Sequence, residues 1–118
     1  MARYTSPPIT TRRLIRSEAN KMIAEIDGSR IRSESDFHVA IALALGLPHH
    51  YGRNLDALWD ILSSDVERPV QLIWNRSALS QVEMPVEFDL IVSLLHKVER
   101  QDADWNLPEE ERFRLVLR

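Results

Sequence analysis

LPHHYGRNLDALWDILSSDVERPVQLIW, Leu47 to Trp74, holds a loop, a helix and a strand in immediate succession. Pro48 and Gly52 punctuate a tight loop that ends at Arg53. Asn54 follows, a residue type whose short side chain accepts from the free N–H groups of a first helical turn. The spacing predicts a helix from there to about Ser64, with Leu55, Leu58 and Leu62 as its buried stripe. Pro69 then introduces VQLIWN, Val70 to Asn75, an apolar run of strand length with β-branched residues.

Toward the N-terminus, Phe37, Ala40, Ile41, Ala44 and Leu45 recur at three- and four-residue steps, the mark of an amphipathic helix over Asp36–Leu47. Ser33 or Ser35 can cap it, and Gly46 with Pro48 stops it. Before it, Met22 to Ile26 is short and mostly apolar, with Asp27 and Gly28 as a turn signal, so a buried strand is predicted. Toward the C-terminus a polar link leads to Pro85 and a helical pattern from Val86 to about Gln101, with Phe88, Ile91, Leu94, Leu95 and Val98 on one face. Glu109, Glu110 and Glu111 read as a solvated turn before a last strand, Phe113–Leu117. Strands alternating with helices require crossover connections, hence an α/β fold on a mainly parallel sheet.

A chain of 118 residues suffices for one domain with its own core and is short for two. The expected domain is 21–118, and residues 1–20, with Ser6, Pro7 and Pro8 and paired threonines and arginines, read as a basic, flexible extension. The absence of cysteine excludes disulfides, thiolate metal sites and a cysteine nucleophile. No apolar run reaches the length of a membrane span, and the N-terminus lacks the apolar centre of a secretory signal, so a cytoplasmic, membrane-free protein is expected. Arg3, Arg12, Arg13, Arg16 and Lys21 face Glu18 alone, a balance of plus 4, which leaves the rest of a chain of net charge minus 3 at minus 7. So acidic a body disfavours direct binding of nucleic acid and attracts a basic partner.

On the Asn54–Ser64 helix, Asp56 and Asp60 stand four apart, with Trp59 between them and Ser63 continuing the same side. Like charges at that spacing weaken a helix by roughly 0.2–0.5 kcal/mol. The helix dipole accounts for Asp56 in the first turn but acts weakly on Asp60. A large aromatic beside two acids, pointed away from the core, has the composition of a binding hot spot. A solvated polar face, with Trp59 half-buried against the preceding loop, is the alternative. His49, His50, Asp56 and Asp60 match no familiar metal-ligand spacing, and no nucleophile accompanies them, so neither metal nor cofactor is expected and the chain reads as a binding protein, not an enzyme.

YGRNLDALWD, Tyr51 to Asp60, closely resembles the signature of the barstar family of ribonuclease inhibitors. IDGSRIRSESDFHVAIALALGLP, Ile26 to Pro48, is similar to that family's first strand, turn and first helix, and ERPVQLIW, Glu67 to Trp74, to its second strand and approach. The resemblance covers about residues 21–102 and, more loosely, the final strand. It implies a small three-stranded parallel sheet packed with about three to four helices. It also implies a cytoplasmic inhibitor that forms a one-to-one complex with a basic, extracellular-type ribonuclease or nuclease toxin. Asp60 would then be the principal plug, a carboxylate where an RNA phosphate would sit, and Asp56 the second acidic contact. The remaining contacts implied are His50, Asn54, Leu55, Trp59, Ser63, Ser64 and Asp65. An immunity protein, or an interaction module of the same fold with a non-nuclease partner, is the alternative.

Three positions depart from the family pattern. His50 stands where an aromatic that stacks on the nuclease is frequent; imidazole can still stack, but it titrates near neutral pH. Asp65 replaces a tryptophan of the best-known members. Lys97 falls where another interface acid is common, a cation opposing a basic partner unless Glu99 or Asp102 takes the role.

Overall fold

A computed structural model describes residues 15–16 and 21–118. Its elements are β1 (Ile15–Arg16), β2 (Met22–Asp27), α1 (Glu34–Leu45), α2 (Leu55–Ser64), β3 (Val70–Asn75), α3 (Ser77–Glu83), α4 (Pro85–Asp104) and β4 (Phe113–Leu117). β3 lies between β2 and β4 and is parallel to both, in the register Ala24 to Leu72 and Leu72 to Leu115. This is the expected three-stranded parallel sheet, and four helices accompany it. Most of the expected 1–20 extension lies outside the described residues; Ile15–Arg16 pairs antiparallel with the free edge of β2.

Strand alternation sorts the side chains into two faces. Ala24, Ile26, Val70, Leu72, Trp74 and Phe113 enter one core with Phe37, Ile41, Leu58, Leu62, Phe88, Ile91, Leu95 and Val98 from the helices. The opposite face is mixed: Ile73 is buried there and Ile23 and Val116 are half-buried, while Asn75 donates to Glu25 (2.9 Å) and Lys21 to Gln71 (3.1 Å). Trp74 is the centre of the core, its ring centroid 5.2 Å from that of Phe37 and 5.1 Å from that of Phe88.

Local signals account for the helix ends. Ser33 accepts from the Asp36 N–H to start α1, and Gly46, at φ 65°, ends it in the left-handed conformation that glycine adopts without a Cβ penalty. Gly28 is required for a different reason: a Cβ there would lie 2.1 Å from the Arg76 carbonyl oxygen, at the turn where α3 begins.

That helix is the element the sequence analysis assigned to a polar link. α3 inverts the usual pattern, burying Ser77 and Ser80 while leaving Leu79 and Val82 exposed. The Ser80 hydroxyl donates to the Gly28 carbonyl (3.1 Å), which is what a serine in a core position needs. Apolar periodicity therefore points outward and cannot announce the helix.

Candidate functional site

The candidate surface is built on α2 and on the loop that feeds it. Pro48 accepts from the Tyr51 N–H (3.0 Å), closing the loop's first turn. Arg53 then takes a left-handed φ of 57°, a conformation that costs a non-glycine residue, and redirects the chain into the helix. Asn54 caps α2: its Oδ1 accepts from the Ala57 N–H at 2.8 Å, and its amide donates to Gly52 O at 3.4 Å. Asn54→Ala should therefore cost about 1 kcal/mol, read as a lower urea midpoint at unchanged slope. An unchanged midpoint would show that the cap bond contributes nothing.

Helical spacing then divides α2. Leu58, Ile61 and Leu62 are buried, and Leu55, Ala57 and Trp59 are half-buried against the core. Leu55, expected in the buried stripe, is only partly covered, and Ile61 takes the deeper place. Asp56 and Asp60 are exposed, and among the described residues neither carboxylate has a hydrogen-bond or ion-pair partner. Trp59 is neither sealed in the interior nor free: part of its ring area is backed by core residues and part faces outward beside the two acids.

The end of α2 holds the remaining candidates. The Ser64 hydroxyl donates to the Asp60 main-chain carbonyl (2.5 Å), Ser63 approaches the same oxygen at 3.4 Å, and the Asp65 N–H closes the helix on Ile61 O. Ser64 and Asp65 are exposed and Ser63 half-buried. His50 is exposed in the loop. The chain thus brings His50, Asn54, Asp56, Trp59, Asp60, Ser64 and Asp65 to the surface of one continuous segment. Asn54 carries out a structural task there, while the two α2 acids do not.

The acids of α4 are placed differently. Asp102 is 1% exposed; it accepts from Arg68 at 2.8 and 3.0 Å and from the Phe113 N–H at 2.7 Å. Glu99 accepts from the Leu115 N–H (2.7 Å) and pairs with His96 (2.8 Å). Both hold β4 against α4, Asp102 from the interior and Glu99 from a half-buried position, and Lys97 is exposed.

Sequence reasoning missed a buried residue under the loop. His38, one residue after the core Phe37, is buried, and its ring nitrogens reach Tyr51 Oη (2.5 Å) and Glu34 Oε2 (2.9 Å). A histidine at a core-facing helical position was the available signal. Among the described residues no group of three or more His, Asp or Glu side chains stands in ligand geometry, and no helix is long and apolar enough to cross a membrane.

Comparison with known proteins agrees with this architecture. Residues 21–118 match the family described as Barstar (barnase inhibitor). A Bacillus subtilis (strain 168) protein named "Putative ribonuclease inhibitor YrdF" is 29% identical over 92 residues, covering 78% of this chain and 93% of that protein.

Proposed function

Because the chain belongs to the barstar family, which implies a ribonuclease as partner in general terms, we propose that its α2 face is the inhibitory surface. It plugs the cationic active site of a basic ribonuclease in a one-to-one, non-catalytic complex formed in the cytoplasm. The observation that carries the reading is the pair of exposed carboxylates, Asp56 and Asp60, on one side of a rigid helix with a half-exposed Trp59 between them. Neither acid has a partner among the described residues, so both retain their acceptor capacity for arginine, lysine or histidine of a nuclease. A phosphate-binding cleft supplies such donors, and a carboxylate presented by α2 stands in for the substrate's phosphate oxygen. Trp59, Leu55 and His50 supply apolar and aromatic area around the charges.

The test is titration of this protein against a panel of basic, extracellular-type ribonucleases. Inhibition should saturate at one equivalent. The association rate should fall steeply as salt is raised from about 0.05 to 0.5 M, because the Debye length contracts and long-range steering is lost. A panel untouched at micromolar concentration overturns the reading and favours a non-nuclease partner for the same fold.

A further inference from the structure

We propose that Tyr51, His38 and Glu34 form a positioning chain for the recognition loop, fixing Pro48–Arg53 against α1 so that His50 and the start of α2 meet a partner in one arrangement. The inference deepens the inhibitory reading of α2 and rests on it.

The geometry is continuous. α1 carries Glu34 and His38 one helical turn apart, and Glu34 Oε2 lies 2.9 Å from His38 Nε2. His38 Nδ1 lies 2.5 Å from the Tyr51 hydroxyl, across the gap from α1 to the loop. His38 and Tyr51 are 1% and 6% exposed, so water does not substitute readily for either bond. Burial, reinforced by the Glu34 carboxylate and opposed by Arg53, pushes the Tyr51 phenol far above its ordinary range. The phenol keeps its hydrogen. The Glu34 carboxylate can only accept, so Nε2 donates to it, and in the neutral imidazole Nδ1 is then the acceptor for the Tyr51 hydroxyl. Every member of the chain then has a partner of the right kind.

The loop has few other restraints of this kind. Between Tyr51 and the cap at Asn54 stand only Gly52 and Arg53, and Arg53 is held at a positive φ that its side chain does not favour. A left-handed arginine persists only where its surroundings fix both ends of the turn. Asn54 fixes one end through Ala57. Tyr51 fixes the other, through His38. His50, adjacent to Tyr51, is exposed, so whatever sets the position of Tyr51 also sets the position of a side chain available to a partner.

Two measurements separate this role from general stability. In the free protein, Tyr51→Phe keeps the ring and removes the bond. Amide hydrogen exchange at Tyr51 and Ala57, the two protected N–H groups of the loop and cap, should accelerate about tenfold, while exchange in the central strand β3 stays within about twofold. Glu34→Leu, on a more exposed residue, should act in the same direction, and Glu34→Gln, which retains an acceptor for Nε2, should restore slow exchange. With an inhibited ribonuclease, Tyr51→Phe should raise the dissociation rate several-fold and leave the association rate unchanged, since Asp56 and Asp60 are untouched. Loop exchange that does not respond, acceleration spread equally over the sheet, or an unaltered dissociation rate would each overturn the proposal. If the wild-type protein inhibits no nuclease, the reading of α2 falls, and the exchange experiment alone decides whether the chain positions the loop.

Discussion

Asp102→Ala is expected to destabilise the domain by about 3–5 kcal/mol, the cost of breaking a buried ion pair from one side. Three bonds are lost together: two from the Arg68 guanidinium and one from the buried N–H of Phe113. Arg68 would retain its bond to Val66 O, 2.8 Å away, and so would be held in place as a largely buried cation without a counter-charge. The first strand residue of β4 would keep a donor with no acceptor. Urea and thermal unfolding measure the loss directly; at roughly 3–6 °C per kcal/mol for a domain of this size, the midpoint should fall by more than about 10 °C. Replacing both partners, Arg68→Leu with Asp102→Leu, should recover much of that loss, because the penalty lies in the orphaned charge more than in the absence of the pair. A loss below about 1 kcal/mol for Asp102→Ala would show that the cluster contributes little, and that β4 is held by apolar contacts alone.

Asp102 also marks where sequence reading stops. The α4 stripe was legible as Phe88, Ile91, Leu94, Leu95 and Val98, apolar residues recurring at three- and four-residue steps, of which Leu94 is only half-buried. Asp102 continues that stripe at the next step, but a carboxylate at a core-facing position looks like a surface residue until its partners are known. Those partners, Arg68 and Phe113, lie 34 and 11 residues away and meet it only after the sheet has formed. The same holds for His38 and for the serines of α3, whose hydrogen bonds are tertiary. What was legible followed from local chemistry: an apolar run for β2 and a β-branched one for β3, caps at Ser33 or Ser35 and at Asn54, a stop at Gly46, and Pro85 at the start of α4.

The candidate site was legible to a different degree and for a different reason. It lies on one continuous segment, so helix geometry alone places Asp56, Trp59 and Asp60 on neighbouring positions before any tertiary contact is considered. A site assembled from several elements would not have been visible in this way. What periodicity could not supply is the support beneath the segment, since the chain from Tyr51 to Glu34 crosses from a loop to the preceding helix. It also could not supply the fate of Glu99 and Asp102, acids like Asp60 whose carboxylates are taken up by N–H groups of β4 and by His96 and Arg68.

Asp60→Ala should separate binding from folding more sharply than any other substitution in this chain, because its two effects have opposite signs. Removing the Asp60 carboxylate breaks no side-chain bond among the described residues, and the Ser64 contact is to the main-chain carbonyl, which the variant keeps. It also relieves the repulsion from Asp56 one turn earlier, and alanine is the better helix former. Stability should therefore stay within about 0.5 kcal/mol of the wild type, tending upward. Affinity for a nuclease should move the other way by about 2 kcal/mol or more, roughly 30-fold or beyond, because cationic groups in the nuclease cleft would be left desolvated and unpaired. Calorimetry or inhibition titration reads one effect and urea unfolding the other. Undiminished inhibition by Asp60→Ala would remove the acid from the interface, and a stability loss above about 1 kcal/mol would make it a structural residue. Either result would defeat the decoy reading, since a phosphate mimic must be a charge that the fold tolerates and the partner requires.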